Sequence, residues 1–224
     1  MKICFLDNSL IPYTYNDLNS KNIRGGENTV IHLSNELSKL GNNIDVFNNC
    51  KDTAIINNVK WSNINKADKN LIYDIAFTNN DIRLFDKIIA KKYVAFSHSI
   101  QSIEKFIRKR QLTSYLKYKP KIVILGNYHN KNRNYLLKLF GTINLQWAVD
   151  PLFLETKLDE TLIENRAIFT SRRDRNLDIL IKIWREKIFP INKSIKLYTT
   201  PSELIDFEYN IFARNFGNKI TMVK

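Results

Sequence analysis

Three groups of residues have types and spacing that could do chemistry. The first is Arg24-Gly25-Gly26-Glu27, placed between a long polar loop and the start of an apolar-striped helix. Paired glycines let a ligand approach the backbone, and the unpaired N–H groups of a helix start attract phosphate. The helix dipole adds about 0.3–1 kcal/mol for an anion there. The loop from the first strand to this helix is about 18 residues long against the usual 2–6 or so, and loops of that length tend to carry function. The same glycine pair would also serve a tight turn.

The second group centres on His98 in Phe96-Ser97-His98-Ser99, at the carboxyl end of an expected strand over 93–97. Open parallel sheets bind ligands at that end, and an imidazole can donate, accept or shuttle a proton near neutral pH. His32, on the helix, and His129, in a loop, read as structural or exposed. The third group is Ser171-Arg172-Arg173-Asp174-Arg175, at an expected strand-to-helix turn. Arginines at such a turn suit a diphosphate through bidentate, charge-assisted hydrogen bonds, and a solvated turn capped by Asp174 fits equally.

Other chemistries lack their residues. No G-x-G-x-x-G follows the first strand, which disfavours a nicotinamide dehydrogenase. No Asp-x-Asp stands at a strand end and no His/carboxylate cluster is present, so no metal is expected. A G-x-S-x-G nucleophile motif is also absent. Cys4 and Cys50 lie far apart with no metal-ligand spacing and read as plain buried cysteines.

The elements that must position these residues alternate. Strand patterns at 2–6, 44–47, 73–78, 93–97, 121–125 and 143–147 are interleaved with helical periodicity at 28–40, 82–90, 102–119 and 132–140. That rhythm means βαβ units and a parallel sheet. In the helix at 28–40, Val30, Leu33, Leu37 and Leu40 are expected to line one face, and Gly41 supplies the stop. Asp150-Pro151 and the acidic stretch 155–165 read as a linker between domains at 1–155 and 156–224. The second domain restarts with strand 167–170, helix 176–188, strand 195–198, helix 202–213 and strand 219–223, fewer elements than a full doubly wound domain. The expected class is α/β, with a complete first and a partial second Rossmann-like domain.

Charge is concentrated. The chain carries a net +13, and residues 86–138 hold 13 basic against 2 acidic side chains, leaving only +2 elsewhere. With 30 Ile, 28 Asn and 24 Lys, a combination of A/T-rich codons, lysine number alone says little. Position says more: residues 102–119 read as one amphipathic helix with Ile103, Phe106, Ile107, Tyr115 and Leu116 on one side and Lys105, Arg108, Lys109 and Arg110 on the other. Such a helix can lie on anionic lipid headgroups, or simply be the solvated face of a basic protein. No helix-turn-helix, zinc-finger or heptad pattern accompanies the charge, so specific nucleic-acid binding is not expected. No membrane-spanning run and no signal-peptide core occur, so a cytoplasmic location, peripheral at the inner membrane face, is expected.

Taken in order, these segments resemble a GT-B-type retaining glycosyltransferase, the group of glycogen synthases and bacterial α-mannosyl- and glucosyltransferases. Arg24-Gly25-Gly26-Glu27 with the helix to Gly41-Asn42 is similar to the group's "GG-x-E … L-A-x-x-L-x-x-x-G-H-x-V" opening. Phe96-Ser97-His98 resembles its strand-end histidine, and Ala148-Val149-Asp150-Pro151-Leu152-Phe153 its "N-G-V-D-x-x-x-F" segment. Phe169 through Leu180, with Trp184, looks like "S-S-x-x-R-G-L-x-x-L-L-x-x-W". The resemblance implies that Gly25 and Gly26 approach the donor diphosphate, that Arg172 and Arg175 bind it, and that His98 contacts the reacting sugar. It also implies a ligand cleft between two domains. The co-substrate would be a nucleotide-diphosphate sugar, with no other cofactor, and the acceptor a glycan or lipid-linked precursor. Lys105, Arg108, Lys109 and Arg110 would face that acceptor or an anionic membrane. Departures are Asn176 and Ala148 where the group has glycines, Arg175 where many members have lysine, and no pair of glutamates separated by seven residues. The last favours an alternative expectation, a shortened, non-catalytic binding module for nucleotide or polyanion.

Overall fold

The computed structural model describes residues 1–18, 20, 23–96, 102–146, 165–171, 175–199 and 206–213. The chain divides into two compact units, Met1–Ala148 and Val149–Lys224.

The first unit is built on an eight-stranded sheet in the order β3-β4-β2-β1-β5-β6-β7-β8. Its strands are β1 Lys2–Leu6, β2 Asn43–Asn48, β3 Ala54–Ile56, β4 Val59–Asn63, β5 Ile72–Asn79, β6 Ile89–Phe96, β7 Lys121–Ile124 and β8 Thr142–Asn144. All neighbours run parallel except the β3–β4 hairpin on one edge. This is a mixed α/β, Rossmann-like arrangement. The central strand is buried on both faces, as parallel sheets require. Ile3 and Phe5 join Val30, Ile31, Ile44, Val46 and Trp61 on one side. Cys4 and Leu6 join a second cluster with Phe47, Tyr73, Phe85 and Tyr115 on the other. Cys4 and Cys50 are both buried and unbridged.

Helix α1 spans Gly25–Lys39. It begins three residues earlier than the expected start at 28, so the two glycines belong to its first turn. Val30, Ile31, Ser34 and Ser38 are buried, whereas Leu40 is 77% exposed. The buried stripe is therefore rotated from the expected Val30-Leu33-Leu37-Leu40 line, with Leu33 and Leu37 only partly buried. Gly41 at φ +81° ends the helix, its N–H reaching Ser38 O at 2.9 Å while Asn42 N–H reaches Leu37 O at 3.3 Å. That pairing is a Schellman stop, and it needs the left-handed residue that glycine supplies.

Three sequence expectations give way here. Residues 102–119 form two short helices, α2 Ile103–Arg108 and α3 Leu112–Tyr118, because Arg110 turns left-handed at φ +53°. The break is held by Gln111, whose N–H reaches Phe106 O at 2.8 Å and whose Nε2 reaches Asn80 O at 3.1 Å. It buries Phe106 and Tyr115 but leaves Ile107 58% and Leu116 52% exposed. Likewise, 82–90 is not a helix: a 3₁₀ segment, Ile82–Lys87, passes into β6, which begins at Ile89 to pair with the whole of β5. The expected helix over 132–140 is split into α4 Asn127–Asn132 and a 3₁₀ turn, Tyr135–Lys138.

The second unit contains a three-stranded parallel sheet, β11-β10-β9, from β9 Arg166–Phe169, β10 Lys196–Thr199 and β11 Ile211–Ala213. Helix α5, Leu177–Ile183, runs on into a π-turn, Trp184–Ile188. It buries Leu177, Ile181 and Trp184 against Leu197 and Ile211. Trp184 Nε1 donates to Tyr209 O at 2.9 Å. The segment 211–213 was expected to be helical and is strand, paired with β10. The expected strand at 219–223 lies outside the described residues.

Candidate functional site

The order β2-β1-β5 places the topological switch point of the large sheet between the carboxyl ends of β1 and β5. In open α/β sheets a ligand sits at that crevice. The chain leaves β1 at Asp7, which is only 2% exposed. Its carboxylate accepts from Tyr13 Oη at 2.6 Å and Asn79 Nδ2 at 3.0 Å, and from Ser9 through both N–H and Oγ at 3.0 Å. Asn79 is the last residue of β5, so one carboxylate ties the two strand ends to the loop.

The rest of the loop is laced down in the same way. Asn48 Nδ2 donates to Tyr13 O at 2.6 Å, Asn49 Nδ2 to Ser9 O at 2.7 Å, and Asn8 Nδ2 to Asp81 Oδ2 at 2.9 Å. Thr14 and Asp17 close a capping box around a 3₁₀ turn. These bonds set the entry to α1. Its N-cap, Arg24, makes no side-chain cap, leaving the first-turn N–H groups of Gly25 and Gly26 without one. A Cβ added to Gly25 would meet nothing within 4 Å. The protein's own packing thus does not demand glycine there.

Glu27 is buried in the same turn, at 5% exposure, which suits the positive end of the helix dipole. Tyr13 is buried beside both carboxylates: burial pushes its phenol well above its ordinary value, and the charges of Asp7 and Glu27 push it further. Between α1 and the strand ends lies a narrow crevice lined by Leu6, Val30, Leu33, Thr78, Asn79 and Phe96. Thr78 Oγ1 and Asn28 Oδ1 are both buried there or close by without a hydrogen-bond partner.

The candidate residues are distributed unequally around this frame. Gly25 and Gly26 open the helix at the switch-point edge. His98 lies in 97–101, outside the described residues, two positions after Phe96. Lys105 lines a second crevice at the same edge with Asn80, Phe96, Phe106 and Gln111, and burial together with Lys109 and Arg108 lowers its ammonium below the usual lysine value. Arg108, Lys109 and Arg110 instead point outward and are exposed. The four cations are therefore not one patch. Arg172 lies outside the described residues, while Arg175 is exposed just before α5. Asn176, standing where the resembled group has glycine, is left-handed at φ +65°. Asn tolerates that conformation better than other non-glycine residues, so the substitution keeps the turn. His32 is exposed on α1 and His129 half-buried in α4.

Sequence reading passed over Asp7, Tyr13 and Thr78. An acidic residue directly after an apolar strand was the available signal for Asp7. Among the described residues, no three His, Cys, Asp or Glu side chains come together as a metal-ligand set. No helix among them is long and apolar enough to cross a membrane. No protein-family model matches the chain, and no curated protein matches it.

Proposed function

We propose that the chain is a GT-B-type glycosyltransferase, moving a sugar from a nucleoside-diphosphate sugar to a glycan or lipid-linked acceptor. The observation that carries this reading is the position of Gly25 and Gly26, which open an uncapped 15-residue helix beside the switch point of a parallel sheet. Backbone N–H groups there suit the oxygens of a diphosphate, whose charge grows as its bond to the anomeric carbon breaks. In that step the bonding pair leaves with the diphosphate, the acceptor hydroxyl oxygen bonds to the anomeric carbon, and the departing diphosphate takes up the hydroxyl proton. Arg172 and Arg175 are assigned to the diphosphate and His98 to the reacting sugar. Charge stabilisation is assigned to these groups and not to a metal ion.

Thermal-shift titration with UDP, GDP, ADP and their sugar conjugates tests the reading. One nucleotide should raise the melting temperature saturably, following RT ln(1 + [L]/Kd). Gly25→Ala should leave the free protein within about 0.5 kcal/mol of wild type, since the new methyl enters open space. It should weaken the nucleotide about tenfold, or about 1.4 kcal/mol, by obstructing the backbone. Absence of a shift with every nucleotide overturns the proposal. A shift without turnover transfers the conclusion to a non-catalytic nucleotide-binding module.

The exposed Arg108, Lys109 and Arg110, beside exposed Ile107 and Leu116, are assigned to an anionic membrane face. Co-sedimentation with phosphatidylglycerol vesicles should be strong at low salt and fall steeply as salt is raised, and should be absent with phosphatidylcholine alone. Salt-independent binding would contradict that assignment.

A further inference from the structure

Arg133 follows α4 and precedes the turn Tyr135–Lys138. It is 6% exposed, and its Nε, Nη1 and Nη2 are all buried without a hydrogen-bond partner. A guanidinium in that state is costly, because desolvation is not offset by a paired charge or by acceptors. Its own stretch of chain supplies no counter-charge: between positions 102 and 146 the only acidic residue is Glu104, which is exposed and engaged by Ser102. Close to Arg133 is Tyr115, a buried phenol whose hydroxyl makes a long 3.3 Å bond to Leu136 O.

We infer that Arg133 is the anchor of a binding site for a phosphoryl oxyanion, with Tyr115 as its second donor. A carboxylate would engage one edge of the guanidinium, two N–H groups of its five. With all three nitrogens unpaired, a group presenting three oxygens matches the fork better. Tyr115 can turn its hydroxyl from the long carbonyl contact to a phosphoryl oxygen. The surrounding run of basic residues raises the local concentration of anions. Entry needs local opening, and the segment bearing Arg133 is lightly anchored: α4 buries none of its side chains, and Tyr135, Leu136 and Leu139 beyond it are exposed. The site lies wholly within the first unit and does not depend on the transferase reading.

The experiment is a thermal-shift titration of the full chain with inorganic phosphate, against chloride at matched ionic strength, for wild type, Arg133→Leu and Arg133→Lys. Wild type should show a saturable phosphate shift that chloride does not reproduce. Arg133→Leu, which removes a buried unpaired charge, should melt about 2–4 °C above wild type without ligand and lose the phosphate shift. Arg133→Lys keeps charge but not the fork and should bind phosphate about tenfold more weakly. If the leucine variant fails to fold, the lysine variant decides.

A wild type that responds equally to chloride overturns the inference, as does a folded Arg133→Leu that retains the phosphate shift. So does an Arg133→Lys variant with wild-type phosphate affinity. Vesicles containing phosphatidic acid separate the sources of the phosphoryl group. Arg133-dependent binding to them, beyond that to phosphatidylglycerol, assigns a lipid headgroup. A phosphate shift with vesicle binding indifferent to Arg133 assigns a small phosphorylated ligand.

Discussion

Asp7→Ala should cost the first unit about 3–5 kcal/mol, most of the stability a single substitution can remove from it. Asp7 is buried and accepts from Tyr13, Asn79 and Ser9, so deletion strands the buried Tyr13 hydroxyl and removes the acceptor shared by Asn79 and Ser9. Each buried donor left unsatisfied costs about 1–3 kcal/mol, and bonds to a charged acceptor lie at the upper end. Asp7→Asn should cost less, about 1–3 kcal/mol, since its carbonyl still accepts while its amide confronts another donor. Urea unfolding measures both. A midpoint for the alanine variant within 1 kcal/mol or so of wild type would show that the network carries little. The functional effect should exceed that of Gly25→Ala. The loop leading to α1 is tied at Ser9 and Tyr13, and loosening it displaces the N–H groups of Gly25 and Gly26 together. Nucleotide affinity of any folded Asp7 variant should fall accordingly.

The alternation of strands and helices was legible because β1, β2 and α1 have strong periodicity and explicit stops, Gly41 above all. What was not legible was decided by tertiary pairing. Ile89 and Ala90 read as the end of a helix, yet β5 needs a partner along its full length and takes these residues as strand. The hairpin of β3 and β4 was missed, although its turn residues Asn57 and Asn58, left-handed at φ 52° and 60°, are the type such turns favour. The segment 102–119 carries helical periodicity throughout, and it breaks where Arg110 turns left-handed and Gln111 bonds to Asn80, 31 residues away. At the site, the glycine pair was visible from sequence because its spacing to the helix is local. The buried carboxylate that aims it was not, since Asn79 and Tyr13 reach Asp7 from different elements. Arg133 is one of many basic residues in its region, and nothing in its sequence context distinguishes a sealed guanidinium from a solvated one.

Alkaline pH should unfold the first unit as it rises from about 8.5 to about 11. Burial raises the Cys4 thiol and the Tyr13 and Tyr73 phenols above their ordinary values. Asp45, which accepts from Tyr73 Oη at 2.7 Å, and Asp7, which accepts from Tyr13, add repulsion against a phenolate. The unfolded chain releases these protons at ordinary values, about 8.5 for the thiol and about 10 for each phenol, whereas the folded chain holds them. Above those values the unfolded state therefore binds fewer protons, and stability falls by about 1.4 kcal/mol per pH unit for each group. The stabilisation is complete below about pH 8.5 and is lost as pH rises toward the folded values. Between about pH 8.5 and 11 the thiol accounts for about 3 kcal/mol and each phenol for about 1, a total near 5–6 kcal/mol. That is comparable to the whole stability of an ordinary domain. Tyr115, raised by burial as well, acts with the same sign. Near-ultraviolet absorbance should show the exposed phenols among the ten tyrosines ionising first and reversibly, with Tyr13 and Tyr73 following only as circular dichroism is lost. Tyr73→Phe should lower neutral stability, by leaving Asp45 without its donor, and make the alkaline decline shallower by one proton. Simple, unfolding-free titration of all ten phenols would remove the basis for this dependence.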